Sequence, residues 1–113
     1  MQRFPLIPGR IYAIMCANDY TACEVYDFLK KKGFSVPEDI SLVGFDNIEL
    51  DHELIPRLTT FEIPKMEMGR VAVELLEERI NNPDRIKKIV EVMACMVERE
   101  SVKDLNETRN VKF

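Results

Sequence analysis

Ile11-Tyr12-Ala13-Ile14-Met15-Cys16-Ala17-Asn18-Asp19 opens the stretch that decides the fold, and Ile40-Ser41-Leu42-Val43-Gly44-Phe45-Asp46-Asn47 closes it. Each is an apolar run of strand length that stops at one carboxylate and one amide. An unbroken apolar run reads as a strand covered on both faces, as in a parallel sheet. Between the runs, Ala22, Val25, Tyr26 and Leu29 recur at i, i+3, i+4 and i+7, with Glu24, Asp27 and Lys31 off that face. The spacing predicts a helix. Asn18-Asp19 suits its N-terminus, with Asp19 read as the cap. Gly33 suits its stop, and places Lys30, Lys31 and Lys32 in the last turn, where the macrodipole favours cations. Strand, helix and strand in succession form a βαβ unit, which requires parallel pairing and a right-handed crossover.

Outward from this unit, Met1 to Arg10 is an irregular lead-in with two prolines and no cleavage-site pattern after an apolar run, so it is not read as a secretory signal. Asn47 to Arg57 is polar and reads as a loop, and Leu58 to Phe61 as a short β segment. Pro64 opens a helix where its missing N–H is harmless. Met68, Val71, Ala72, Leu75 and Leu76 give that helix an apolar face, and Asn81-Asn82-Pro83-Asp84 ends it. Ile89 to Val97 reads as a third strand, and Lys103 to Phe113 as a fraying tail. The alternation of strands and helices is that of an α/β fold.

A length of 113 residues with 46% hydrophobic and 32% charged residues fits one domain with little margin in its core. Sixteen Lys and Arg against twenty Asp and Glu give a net charge of −4. This argues against a free-standing nucleic-acid binder, which needs a basic stripe. The uncharged stretches are far shorter than the roughly 20 residues of a membrane span. Cys16, Cys23 and Cys95 lack metal or disulfide spacing and read as buried, reduced thiols of a cytoplasmic protein; no metal and no cofactor is expected. Met66, Met68, Met93 and Met96 read as core filler. The sole histidine, His52, lies among carboxylates and reads as a solvated loop residue, and no GxSxG, P-loop, HExxH or GxGxxG pattern is present. An enzyme is not expected.

In open parallel sheets, ligands bind beyond the carboxyl ends of the strands. Asn18-Asp19 and Asp46-Asn47 follow the two βαβ strands and so share one rim. Two carboxylates and two amides there suit a polyhydroxylated sugar or a heterocycle bearing ring N–H groups. Asp19 has a competing use as a helix cap and Asn47 as a turn former; Asp46, directly after a buried strand end, needs partners that a ligand could supply.

Several strings together resemble the LacI/GalR family of transcription regulators: Ala13-Ile14 through Ala17-Asn18-Asp19 with Ala22; Gly33-Phe34 leading to Val36 through Asn47; Pro56-Arg57-Leu58-Thr59-Thr60; Met68-Gly69 with Ala72; and Val97-Glu98-Arg99-Glu100-Ser101. The resemblance implies an α/β, Rossmann-like parallel sheet flanked by helices, part of a periplasmic-binding-protein-like effector domain. It implies that residues 11–61 form part of the C-terminal lobe, that 62–95 cross a hinge into a helix and strand of the other lobe, and that 96–113 return. Asp46 and Asn18 are then effector contacts, with Asp19 in support, and the effector is a sugar or purine-like molecule. Cys23, Tyr26 and Phe28, on the helix matching the family's dimer interface, are expected to serve a homodimer. Operator DNA would be bound only by a helix-turn-helix outside this chain, which the resemblance makes a C-terminal fragment. Ile63 stands where family members often carry Gln, and its side chain offers no hydrogen bond. The competing readings are a transport-type sugar-binding protein of the same fold and a dimerisation module without ligand affinity.

Overall fold

A computed structural model describes residues 8–49 and 54–106. In chain order its elements are β1 (Ala13–Met15), α1 (Asp19–Lys31), β2 (Ser41–Val43), β3 (Thr60–Glu62), α2 (Lys65–Asn81) and β4 (Cys95–Val97). The βαβ unit is present: β1 and β2 pair in parallel, with Ile14 opposite Leu42. Both strands are shorter than the apolar runs that contain them.

Helix α1 starts and stops by side-chain and backbone chemistry local to its ends. Asn18 is the cap, its Oδ1 accepting the Thr21 N–H at 2.9 Å. This corrects the assignment of the cap to Asp19, which is the first helical residue. At the other end Gly33 takes φ +84°, and the Phe34 and Gly33 N–H groups donate to the Leu29 and Lys30 carbonyls at 2.9 and 3.1 Å. That is a Schellman closure, which a side chain at the left-handed position would disfavour. The 3.6-residue stripe points inward as expected. Ala22 and Leu29 are buried with Cys16, Val36, Ile40, Leu42 and Leu58, and Val25 and Tyr26 pack against them.

Coverage on both faces of β1 does not hold. Among the described residues only one face of the sheet carries a helix, and Ile11 and Met15 on β1 and its approach stay exposed. On the edge of β2 away from β1, Val43 forms a parallel bridge with Thr59, and the Gly44 N–H donates to the Thr59 carbonyl at 3.0 Å. The chain then runs out through β3 and comes back antiparallel through β4, with Phe61 opposite Met96.

Helix α2 follows Pro64, which stands one residue before the helix, and buries no residue. Its polar side is laced by exposed ion pairs, Arg70 bridging Glu67 and Glu74. Its apolar side is at most partly covered among the described residues, at Val71 and Leu75, while Leu76 stays exposed. Met66, Met68, Met93 and Met96 are all exposed, so they are not core filler. Residues 87–94 have no regular structure, which reduces the expected third strand to Cys95–Val97. Of the three cysteines only Cys16 is buried; Cys23 is partly covered and Cys95 exposed. Burial, with the Asp19 carboxylate second, pushes the Cys16 thiol above its ordinary pKa. His52 lies outside the described residues.

The Cα radius of gyration is 19.7 Å, against roughly 13 Å for a compact domain of this size. The core sits in the βαβ half, and the rest extends from it. No helix among the described residues is long and apolar enough to cross a membrane.

Candidate functional site

The two strand ends meet as the sheet topology requires. The Asp19 N–H donates to the Phe45 carbonyl at 2.9 Å, which ties the start of α1 to the end of β2. Here the chains approach closely enough to need glycine: a Cβ on Gly44 would lie 2.1 Å from Asp19 Oδ1 and 2.9 Å from Leu58 Cδ2. Asp19 itself is fully buried. Its Oδ1 accepts the Thr60 hydroxyl at 2.6 Å and its Oδ2 the Ile48 N–H at 3.1 Å. Those bonds meet the requirement that a buried carboxylate be paired.

Asp46 and Asn47 turn the chain away from the sheet in left-handed backbone, at φ +112° and +54°. Non-glycine residues take such angles when surrounding bonds over-determine them, and these residues cluster at functional sites. The Asp46 N–H donates to the Phe61 carbonyl at 2.9 Å. The Arg99 guanidinium donates to Asn47 Oδ1 at 2.6 Å and to the Leu58 carbonyl at 2.9 Å. Beneath the turn, the Phe45 and Phe61 rings stack with centroids 5.8 Å apart.

A cleft of about 470 Å³ opens between this turn and the beginning of α2, lined by Asp46, Asn47, Glu62, Ile63, Pro64, Lys65, Met66 and Glu67. It joins hydrogen-bonding groups to an apolar floor, the mixture that holds small polar ligands. Asp46 and Asn47 from the predicted rim therefore line it, whereas Asn18 and Asp19 lie outside the lining, with Asn18 Oδ1 engaged in capping α1. Ile63 contributes an apolar surface. A second cleft of about 430 Å³ lies between α2 and the segment after it, beside Leu75, Leu76, Arg79 and Ile86. Its Glu78 is already paired with Arg85 and Lys88, which lower its pKa. We assign the site to the first cleft because it stands at a strand's carboxyl end. No group of three His, Cys, Asp or Glu side chains among the described residues could hold a metal.

On α1, Phe28 is exposed, with the Lys32 ammonium 5.7 Å from its ring centroid. Tyr26 turns inward against the core, its hydroxyl donating to the Ile55 carbonyl, and Cys23 is partly covered. A polar set that reading the sequence did not single out lies behind the cleft. The Arg99 N–H donates to Thr59 Oγ1 at 2.9 Å, the Thr59 N–H to Ser101 Oγ at 2.8 Å, and the Ser101 hydroxyl to the Leu42 carbonyl at 2.6 Å. The available signal was Thr59-Thr60 beside an apolar strand, since hydroxyls buried there must find partners.

The sequence pattern of the periplasmic binding protein-like domain matches residues 2–102. The chain is 45% identical over 94 residues to the HTH-type transcriptional repressor PurR of Vibrio atlanticus, covering 83% of this chain and 28% of that protein. Among solved structures it is similar to a LacI-type transcription regulator from Bifidobacterium animalis subsp. lactis, at 36% identity and TM-score 0.72 over 83% of this chain and 34% of that one. It is also similar to a LacI family transcriptional regulator from Enterococcus faecium with bound ribose, at 32% identity and TM-score 0.67 over 80% and 34%. The chain thus spans about 28% of the length of the PurR repressor it matches. The order of elements, the strand-end turn and these likenesses agree: the chain belongs to the periplasmic binding protein-like domain family, in its LacI/GalR branch.

Proposed function

We propose that this chain forms part of the effector pocket of a cytoplasmic, ligand-responsive transcriptional repressor, with Asp46 as the principal polar contact. The observation that carries the reading is the cleft at the carboxyl end of β2, where Asp46 is held at φ +112° on its lining. A carboxylate there accepts hydrogen bonds from ligand hydroxyls or ring N–H groups, so the effector class is a sugar or a purine-like heterocycle. Asn18 lies outside the cleft's lining and spends Oδ1 on the α1 cap, so its amide N–H₂ is left for a secondary contact from the neighbouring strand end, and Asp19 supports the turn through Ile48. Bound ribose in the Enterococcus faecium relative supports the sugar class, and the name of the Vibrio atlanticus relative supports a repressor. Catalysis has no part in this reading.

Residues 11–61 belong to one lobe and 62–95 to the other, with β3 and β4 as the crossing strands. Effector bound between the lobes shifts the population towards one relative closure, and that change sets the spacing of DNA-binding heads outside this chain. Homodimerisation uses α1, through Phe28 and Cys23 and the exposed edge of Tyr26. The exposed Tyr20 and Phe28 favour a second reading for the chain in isolation, a self-associating piece without ligand affinity. Calorimetric titration of the whole protein with ribose and with hypoxanthine, repeated on these 113 residues alone, separates the readings. Binding by the whole protein and none by the short chain is expected. Comparable affinity in both would mean that one wall suffices and would refute the two-lobe pocket.

A further inference from the structure

Three successive residues of the strand-end turn are anchored to three different parts of the chain. The Asp46 N–H is bound by the outgoing segment at Phe61, the Asn47 side chain by the returning segment at Arg99, and the Ile48 N–H by the start of α1 at Asp19. Two of these anchors are charged side chains reaching across from other segments, the Asp19 carboxylate and the Arg99 guanidinium, and Arg99 is the one that grips a side chain of the turn. Arg99 also holds the stretch leading into β3, its guanidinium donating to the Leu58 carbonyl and its backbone N–H to Thr59 Oγ1, so one residue of the returning segment ties the turn to the outgoing one. Arg99 is half-buried, so these bonds are made in a setting that water screens incompletely.

We propose that Arg99 is the positioning residue of the effector site, clamping Asn47 so that the left-handed turn aims the Asp46 carboxylate into the cleft, and linking that turn to both crossing strands. The inference rests on the reading of the cleft as the effector pocket. Its physical basis is the planar guanidinium, which presents several donors in a fixed fork and so fixes the distance between two acceptors, Asn47 Oδ1 and the Leu58 carbonyl. A lysine at this position carries three donors on a single rotatable nitrogen and does not fix the separation of two acceptors. Asn47 at φ +54° keeps its conformation at lower cost than most residues would, but its side chain needs the clamp to be fixed. The link runs both ways: an effector that tightens on Asp46 tightens the junction of the outgoing and returning segments, and a shift of those segments moves Asp46.

Hydrogen exchange on the whole protein carrying this sequence, compared among wild type, Arg99→Ala and Arg99→Lys, tests the clamp. Loss of the charged hydrogen bonds is expected to speed exchange at the Asp46 and Ile48 amides by about tenfold or more, with the Cys16 and Leu29 amides unchanged. Arg99→Lys is expected to recover part of the protection. Unchanged exchange at the turn, or a uniform rise across the protein, would overturn the proposal. Ribose titration of the same variants adds a functional arm. Where wild type binds ribose, Arg99→Ala is expected to weaken binding about tenfold, and unchanged affinity would also overturn the proposal. If wild type does not bind ribose, the sugar reading fails by itself and the exchange comparison still decides the role of Arg99.

Discussion

The βαβ half and the α2 half of this chain carry equally regular apolar patterns, yet only one of them buries its pattern. Leu29, Leu42 and Leu58 are almost wholly covered, whereas α2 buries none of its residues and Leu76 is 60% exposed. Both patterns were read by the same rule, apolar residues recurring at helical or strand spacing. Periodicity therefore identifies a face and says nothing of what covers it. In the first half the cover is supplied within a few tens of residues, by a helix folding back over its own strands. The second half has a long helix, an irregular return and no neighbouring layer among the described residues.

The largest effect that can break this comparison is a cavity. Leu42→Ala removes a side chain that is 1% exposed and is expected to destabilise the chain by about 3 kcal/mol in urea unfolding. Leu76→Ala, on the uncovered face, is expected to change stability by less than about 0.5 kcal/mol in this chain. On the proposed lobe division, the same substitution in the whole protein is expected to cost about 2 kcal/mol, because the rest of the lobe to which α2 belongs would cover the face. A neutral Leu76→Ala in both contexts would mean that the α2 face is not a packing face.

The glycines sharpen the comparison with a smaller effect. Gly44→Ala would push a methyl group against Asp19 Oδ1 and Leu58 at 2.1 and 2.9 Å, and is expected to cost about 2 kcal/mol by overpacking. Gly69, inside α2, has no atom within 4 Å of where its Cβ would stand. Gly69→Ala is expected to stabilise the chain by about 1 kcal/mol through helix propensity alone. Opposite signs in thermal unfolding are the expected result; equal signs would contradict the packing described for one of the two halves.

These contrasts explain how much was legible in the sequence. The βαβ unit was, because Ala22, Val25, Tyr26 and Leu29 fold onto strands close by in sequence, and Gly33 marks its stop without help from elsewhere. The placement of Asp46 at the rim was legible for the same reason. The cap falls to Asn18 and not to Asp19, and the sequence leaves this open because either residue can cap a helix. The choice depends on Thr60 and Ile48, which approach Asp19 from remote positions. The bonds of Arg99 are not legible in the motif that contains it, since its partners Asn47, Leu58 and Thr59 lie some 40 to 52 residues away. The methionines and Cys95 have the residue type and spacing of core positions yet stay exposed, because type and spacing imply burial only when a covering layer exists. Long-range pairing and the presence of a cover are tertiary facts, and periodicity does not encode them.

The central claim is that the turn after β2 presents Asp46 to a small polar effector. Asp46→Asn keeps the size of the side chain and removes the charge that accepts ligand hydrogen bonds. Calorimetry of the whole protein against ribose and hypoxanthine, wild type beside Asp46→Asn, tests it most directly. The expected result is binding of one of the two by wild type and an affinity lower by about tenfold to a hundredfold in the variant, with an unchanged melting temperature. Equal affinity in the two proteins would contradict the account.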